Sequence, residues 1–155
     1  MKVERLVRED NLDIQGITLL SEEEHKACRQ HIKPVGYVWW LRSPGGSRWT
    51  AADVDYYGYV SSYGVHVSRN CLAVRPALQI TNPESANLKI GDSFYLFDYT
   101  WTVISEGLAL CDKSIAKHAF RKAWRAEDAN DYEKSDVKRF LEEWFDERCK
   151  EEAAK

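Results

Sequence analysis

Three groups of residues have the types that metal or nucleophilic sites use, and the first lies near the start of the chain. His25, Cys28 and His31 are three residues apart in a predicted helix, so neighbouring pairs could share a metal ion. The alternative is a solvated helix with a half-buried cysteine. We favour this alternative, because a structural site needs four ligands and no fourth is evident.

The second group is His66 and Cys71, which together have the residue types of a base and a nucleophile. Side chains five positions apart in a strand point to opposite faces of the sheet unless a bulge intervenes. We therefore predict a buried cysteine and an exposed histidine rather than a catalytic pair.

The third group is the acidic run EDANDYE, in which Asp128, Asn130, Asp131 and Glu133 offer oxygen ligands for calcium. The run lacks the glycine and the distal glutamate of an EF-hand loop. A solvated loop that leads into a helix is the favoured interpretation.

Motifs of other enzyme classes do not occur in the sequence. The SPGGS stretch has neither the Walker lysine nor the G-x-G-x-x-G spacing of phosphate-binding loops. A G-x-S-x-G elbow and an H-E-x-x-H helix are likewise missing. The sequence therefore predicts no catalytic residues, no metal and no cofactor.

Composition and length favour one globular domain over residues 1–155, since 155 residues can bury a core without metals or disulfides. The net charge of −3 provides no strong field for nucleic acid or an anionic membrane, and we expect neither as a partner. Residues 1–20 are charged throughout and contain no apolar run long enough for a signal peptide or a membrane span. We therefore expect a cytoplasmic location.

The four cysteines lie far apart, without the CxxC spacing of metal knuckles. We expect Cys28, Cys71, Cys111 and Cys149 to be free and mostly buried thiols.

Two helices are predicted, one near each end of the chain. A short apolar strand at Ile17 to Leu20 precedes a helix over residues 21–32, with Ser21 as its N-cap and Glu24 completing a capping box. The second helix, over residues 135–150, begins after Ser135. Its apolar residues share one helical face: Val137, Phe140, Leu141, Trp144, Phe145 and Cys149. This face could bind a partner helix, but packing against the chain's own sheet is favoured.

Short strands and turns are predicted between the two helices. The run 37–41 predicts a strand with Trp39 and Trp40 as core anchors, and turns are expected at Gly58 and Gly64. Inward positions are expected at Val54, Val60, Val65 and Val67. Residues 113–134 have weak periodicity and predict an irregular segment with at most one short helix. The chain is thus predicted to be an α+β domain with antiparallel sheets of short strands.

The segment 48–70 combines tyrosine, tryptophan, serine and glycine, residue types that it has in common with antibody paratopes. Tyrosine and tryptophan provide large contact area with little rotamer entropy to lose, and serine and glycine provide adaptable hydrogen bonding. The alternative is that these tyrosines merely cover a sheet. Their clustering around turns favours a binding surface.

Three stretches, WWLRSPGG, AADVDYYGYVSSYGVHV and AVRPALQI, together resemble a bacterial and phage domain family of unknown function with a W-L-R-S-P module and a closing V-R-P-A-L. That module looks like half of a C-type-lectin-like fold. The fold is akin to the formylglycine-generating enzymes and to the variable proteins of diversity-generating retroelements. The resemblance implies a display scaffold, in the cytoplasm or in a phage particle.

The later stretches IGDSFYLFDYTWTVI, LALCDKSI and YEKSDVKRFLEEWF are similar to the family's other half, which in most members comes first. The resemblance therefore implies a circular permutation. The predicted division is an N-terminal extension at 1–15, the W-L-R-S-P half at 16–80, a hairpin connection at 81–92 and the second half at 93–150.

The resemblance also implies which residues are displayed to a ligand and which form the scaffold that supports them. The displayed, ligand-binding positions would be Arg48, Trp49, Asp53, Asp55, Tyr57, Tyr59, Ser61, Ser62, Tyr63, His66, Ser68 and Asn70. The scaffold positions would be Trp40, Arg42, Ser43, Gly58, Val60, Arg75 and Pro76. The two arginines are expected to brace loops by hydrogen bonding to carbonyl oxygens.

We therefore expect a non-catalytic domain that binds a protein or another macromolecule through residues 48–70. Two alternatives stay open. One is an enzyme related to the formylglycine group, which would depend on Cys71 and Cys111. The other is a phage or assembly protein that oligomerises through the C-terminal helix.

Overall fold

The computed structural model describes residues 6–8 and 11–155, which form two β-sheets and two α-helices. The helices are α1 (Glu22–Cys28) and α2 (Asp136–Ala153), and 3-10 helices lie at Arg29–His31 and Tyr132–Lys134. The strands are β1 (Leu6–Val7), β2 (Asp13–Thr18), β3 (Trp39–Pro44), β4 (Thr50–Val54), β5 (Val60–His66), β6 (Ala73–Val74), β7 (Ala77–Ile80), β8 (Ser93–Leu96), β9 (Tyr99–Ser105), β10 (Leu108–Cys111) and β11 (Ala116–Lys117).

One sheet has six antiparallel strands in the order β1-β2-β7-β10-β9-β8. The other has five strands in the order β11-β6-β3-β4-β5, and only the β3 and β6 pair is parallel. The prediction of an α+β fold with mostly antiparallel sheets and two helices is confirmed. Strand β5 lies at the edge of the second sheet, and no strand of the described residues pairs with its outer side.

Two adjacent tryptophans connect the sheets to two hydrophobic clusters. Successive residues of a strand point to opposite faces, so Trp39 and Trp40 at the start of β3 enter different clusters. Both are almost completely buried, as predicted for core anchors. The Trp40 cluster includes the apolar face of α2, whereas the Trp39 cluster lies on the side of α1.

Helix α1 begins as its sequence predicts. The Ser21 side chain accepts a hydrogen bond from the Glu24 N–H, and the Glu24 carboxylate accepts one from the Ser21 N–H, which completes the capping box. The helix is shorter than the predicted 21–32, because a 3-10 turn replaces its last residues. The strand before it, β2, begins at Asp13 rather than at Ile17.

Helix α2 has Ser135 as its N-cap, with the hydroxyl accepting a hydrogen bond from the Lys138 N–H. Four of the predicted apolar residues are buried, and Phe140 and Trp144 are partly buried. The apolar face of α2 therefore packs on the chain's own core. No helix in the described part of the chain is long and apolar enough to cross a membrane.

Two connections differ from the sequence interpretation. Residues 81–92 are not a hairpin, since β7 and β8 are separated in the sheet by β10 and β9. Residues 6–15, which the sequence suggests are part of an extension, contribute β1 and the start of β2 to the sheet, with Leu12 and Ile14 buried. Residues 1–5, 9 and 10 of that extension lie outside the described residues.

The irregular segment between β10 and α2 matches its prediction closely. It contains the two-residue strand β11 and the 3-10 helix at Tyr132–Lys134. Phe120 and Tyr132 from this segment are buried. The Phe120 ring contacts the rings of both Trp40 and Tyr132, while Trp124 is partly buried.

Candidate functional site

Exposed aromatic side chains are concentrated on the β4–β5 hairpin and the loop before it. The described residues include eight exposed large hydrophobic side chains, and five of them lie between positions 49 and 63. These five, together with the neighbouring Arg48, form what we term the aromatic surface: Arg48, Trp49, Tyr56, Tyr57, Tyr59 and Tyr63. Exposure ranges from 39% for Trp49 to 78% for Tyr57.

The tip of the hairpin is held by Asp55. Its Oδ1 atom accepts hydrogen bonds from the N–H groups of Tyr57 and Tyr59, both at 2.9 Å. The predicted turn at Gly58 is present, with a φ of +90° that favours glycine. Asp55 was predicted to be displayed, but its carboxylate is used within the turn. As a result the turn presents Tyr56 and Tyr57 to solvent on a defined backbone.

Tyr59 lies beside a cation from the first helical region. The Arg29 guanidinium carbon is 4.9 Å from the centroid of the Tyr59 ring, within the range of a cation–π contact. A hydrogen bond also joins β5 to α1: the Ser62 hydroxyl donates to the Glu22 carboxylate. The β5 edge is therefore anchored to α1 on one side.

The other end of the hairpin carries Trp49 and Tyr63. The Gly46 N–H donates to the Tyr63 carbonyl at 2.8 Å, and a Cβ at Gly46 would lie 2.4 Å from the Tyr63 ring. The ring therefore lies directly against the glycine backbone. The amide of Asn130 donates to the carbonyls of residues 47 and 50, at 3.0 and 3.1 Å, and holds the loop that carries Trp49.

Gly64 differs from its prediction as a turn residue. It lies within β5, where the register between β4 and β5 shifts, and its φ is +86°. A Cβ there would lie 2.0 Å from the Ala51 carbonyl oxygen. The backbones of β4 and β5 thus approach closely at this irregularity.

The predicted displayed positions divide into three groups. The exposed ones are Arg48, Trp49, Tyr57, Tyr59, Ser62, Tyr63, Ser68 and Asn70. The partly buried ones are Asp55, Ser61 and His66. Asp53 is buried, so its assignment to the displayed group is wrong. Tyr56 is exposed but was not predicted; its place in the turn beside Tyr57 is the signal that could have identified it.

Asp53 is unusual for a buried carboxylate. It is 4% exposed, and its Oδ1 has no hydrogen-bond partner among the described residues. Burial raises the pKa of Asp53 to about 6; a hydrogen bond with Ser61 opposes this increase, and the charge of Asp55 adds to it. Asp53 is paired with Trp40 across β3 and β4, so it lies on the same face of the sheet as Trp40.

Several predicted scaffold residues bond to the main chain. The Trp40 indole N–H donates to the His118 carbonyl at 2.8 Å. Arg42 donates to the Leu19 carbonyl at 2.8 Å and forms an ion pair with Glu24. The Ser43 hydroxyl accepts a bond from the Glu22 N–H at 2.9 Å. The Trp40 bond joins β3 to the segment after β11, and the Arg42 and Ser43 bonds join β3 to the start of α1.

The remaining scaffold positions lie inside the fold. Val60 is partly buried, and Arg75 and Pro76 are buried. Arg75 donates to the carbonyls of Cys111 and Lys33, at 2.7 and 3.1 Å, so both arginines bond to carbonyl oxygens.

His66 and Cys71 have the opposite exposure to the one predicted. Cys71 is exposed, whereas the partly buried His66 ring contacts the Trp124 ring, with centroids 5.1 Å apart. The irregularity of β5 and the turns after it break the alternation on which the prediction depended. The other three cysteines are buried thiols, and burial raises the pKa of Cys111 to about 11. A thiol of this kind is protonated at neutral pH and is a poor nucleophile.

Metal sites are not formed by the described residues, in which no group of three His, Cys, Asp or Glu side chains could hold an ion. His25 is buried, and burial together with the charges of Arg75 and Arg29 lowers its pKa to about 4. In the acidic run, Asp128 bonds to Lys134 at 3.1 Å and to Arg121 at 3.3 Å, and these cations lower its pKa. Asp131 caps the following 3-10 helix. These residues therefore have structural roles.

Comparison with known proteins gives one match. No curated protein and no solved structure matches the chain significantly. The family model that matches spans β1 to β7 and includes the whole aromatic surface. A domain of unknown function, DUF6273, is thus found over residues 6–82.

Proposed function

We propose that the domain binds a protein partner through the aromatic surface and catalyses no reaction. The observation that carries this proposal is the concentration of five of the eight exposed large hydrophobic side chains on one hairpin and its preceding loop. Exposed apolar side chains that are scattered singly need no explanation, whereas a cluster indicates an interaction site. Tyrosine and tryptophan are also the residues that contribute most to binding energy in protein interfaces.

The backbone below these side chains supports the proposal. The Asp55 turn, the contact of Tyr63 with Gly46 and the Asn130 bonds fix the hairpin at both ends. A surface that is already ordered loses less conformational entropy on binding. Thr50 to Val54 extend over about 14 Å at the usual rise per residue, so the two ends fit within one interface of ordinary size.

We further propose that the fold is of the C-type-lectin-like type and that the hairpin is a display segment like that of retroelement variable proteins. The support is the sequence resemblance and the division of the segment into exposed side chains and a braced scaffold. Arg42 and Arg75 bond to carbonyls outside the hairpin, so the exposed residues could change without loss of these bonds.

Replacement of three central aromatics tests the binding function. In the variant Trp49→Ala, Tyr57→Ala and Tyr63→Ala, proteins captured from an extract of the source organism should be lost relative to the unchanged domain. The matched control is Tyr95→Ala, because Tyr95 is 63% exposed, close to the 64% of Tyr63, but lies on β8. For a partner identified in this way, each central aromatic should contribute about 2 kcal/mol, or about thirtyfold in Kd. An unchanged set of captured proteins from a correctly folded triple variant would overturn the proposal.

Sequencing of a population tests the display hypothesis separately. The codons for residues 43–78 would be sequenced, together with nearby DNA, in search of a near-copy of the segment. Substitutions concentrated at the exposed positions, with Trp40, Gly58, Arg75 and Pro76 unchanged, would support diversification. A uniform sequence with no near-copy would contradict diversification and leave a surface of fixed specificity.

A further inference from the structure

A second candidate site lies away from the exposed aromatic side chains, between the 3-10 helix after α1 and the six-stranded sheet. It is a cavity of about 290 Å³, just below the range of about 300–1,000 Å³ that is usual for ligand cavities. Its lining is largely polar. Gln30, His31 and Lys33 come from the 3-10 helix and the chain after it, and Ser93 and Thr102 come from β8 and β9.

Arg75 also lines this cavity and is the unusual residue in it. Although the residue is only 2% exposed, no carboxylate oxygen of a described residue lies within 4.0 Å of its guanidinium nitrogens. Its described contacts are the two carbonyl bonds already given and the Trp39 ring, whose centroid is 4.9 Å from the guanidinium carbon. The Asp112 carboxylate forms no ion pair with it, although its charge partly opposes the lowering of the Arg75 pKa by burial. A buried cation that no carboxylate contacts is unfavourable, and proteins usually pair such groups directly.

The hydrogen bonds of Arg75 use only part of its guanidinium group and leave N–H donors for a ligand. The group has five N–H donors. One bond from Nε and one from Nη1 reach carbonyl oxygens. The other three N–H groups have no acceptor among the described residues. A planar group with donors of this kind matches the oxygen atoms of a carboxylate or a phosphate.

The charges around the cavity favour an anion as well. Lys33 adds a second cation to the lining. Asp112 is the one acidic residue among the described residues of the lining, and its Oδ1 already accepts a hydrogen bond from the Thr102 hydroxyl at 2.7 Å. The hydroxyl of Ser93 and the amide of Gln30 provide neutral hydrogen-bonding groups for the rest of a ligand.

We propose that this cavity binds a small molecule through a carboxylate or phosphate group, which bonds to the Arg75 guanidinium and is attracted by Lys33. The ligand supplies the directly bonded anionic group that Arg75 lacks. This site is independent of the aromatic surface, so its existence does not depend on the proposed protein partner.

Isothermal titration calorimetry with defined anions tests the proposal. Sodium phosphate and sodium succinate would each be titrated into the full chain, with sodium chloride at matched ionic strength as the reference. We expect saturable binding to one site for at least one of the two oxyanions and none for chloride. The anion that binds more tightly identifies the preferred head group.

Two variants locate the binding. Lys33→Glu should weaken the affinity by about tenfold or more, because it removes a cation at the cavity and introduces a competing carboxylate. Lys122→Glu is the matched control, since Lys122 is exposed, lies outside the cavity and undergoes the same change in charge. It should leave the affinity unchanged.

Arg75→Lys keeps the charge and removes the planar donor group, so it should also weaken binding by about tenfold. Its fold would be checked by circular dichroism, because Arg75 also supports the main chain. The proposal is overturned if neither oxyanion binds more tightly than chloride. It is also overturned if Lys33→Glu and Lys122→Glu bind the anion equally well.

Discussion

The buried carboxylate of Asp53 makes the stability of the domain depend on pH in a direction that can be measured. The pKa of Asp53 is about 6 in the folded chain, against 3.8 for an ordinary aspartate. Between these two pH values the folded state retains a proton that the unfolded chain has lost. The free energy of unfolding therefore falls as the pH rises through this window, and the full loss is present above about pH 6.

The size of the effect follows from the shift of about two pKa units. At 1.36 kcal/mol per unit, the ionised carboxylate lowers stability by about 3 kcal/mol near pH 7.5. Asparagine has nearly the same shape and cannot ionise. Asp53→Asn should therefore be more stable than the unchanged chain by about 3 kcal/mol near pH 7.5, and only about 0.5 kcal/mol of this advantage should remain near pH 4.

Urea unfolding followed by tryptophan fluorescence would measure both values. Any fixed contribution of the new amide is the same at the two pH values, so the difference between them isolates ionisation. Asp146→Asn is the matched control: Asp146 is 3% exposed but has the Lys150 ammonium 3.1 Å away, and its substitution should not stabilise the domain. An Asp53→Asn effect that is equal at both pH values would refute the reasoning.

His25 makes the stability of the domain depend on pH in the opposite direction. Its pKa is about 4 in the folded state, against 6.5 for an ordinary histidine, so the unfolded chain binds the extra proton. Stability from this group is present above about pH 6.5 and is lost as the pH falls toward 4. The two slopes oppose each other between about pH 4 and 6. In Asp53→Asn the His25 slope is unopposed, and we expect a steeper loss of stability on acidification.

Three further substitutions test the supports of the fold and of the aromatic surface. Gly64→Ala should destabilise the domain by more than about 2 kcal/mol in urea unfolding, because its Cβ would meet the carbonyl of β4; Gly36→Ala has a similar positive φ of +74° but open space, and should cost only about 1 kcal/mol. Equal losses would contradict the clash. Ser135→Ala should lower stability by about 1 kcal/mol through loss of the α2 N-cap, and an unchanged thermal midpoint would argue against that role. Asn130→Ala should lower stability by about 1–2 kcal/mol and also weaken capture of a partner, because it releases the loop that carries Trp49; full capture with lowered stability would show that the loop does not depend on it.

Local signals in the sequence predicted the helices well. The Ser21 and Glu24 capping box and the Ser135 cap depend on residues a few positions apart, and the structure contains both. The helical spacing of the α2 residues likewise predicted the buried face. Two adjacent residues of a strand point to opposite faces, so both can be buried only when both faces of the sheet are covered. Trp39 and Trp40 are buried in different clusters, as this requires.

Features that depend on strand register could not be predicted in the same way. Asp53 lies in a polar and aromatic run that predicts exposure, but all five residues of β4 are buried because the rest of the chain covers both of its faces. The register shift at Gly64 changes the alternation along β5, and neither composition nor periodicity marks a shift of this kind. The order of β7, β10, β9 and β8 depends on pairing between distant segments, which is why a hairpin was wrongly expected at 81–92.

Different atoms fix the hairpin and form its exposed surface, which explains how one hairpin can carry so many exposed aromatic side chains on a stable domain. The groups that fix the hairpin are main-chain atoms, the Asp55 carboxylate, the Asn130 amide and glycines without a Cβ. Tyr56 and Tyr57, by contrast, are more than half exposed and contribute little buried area. Because burial determines most of the free energy that a side chain adds to folding, these tyrosines can change with little effect on stability. Their energetic contribution becomes large only in the complex that we propose, in which a partner buries them.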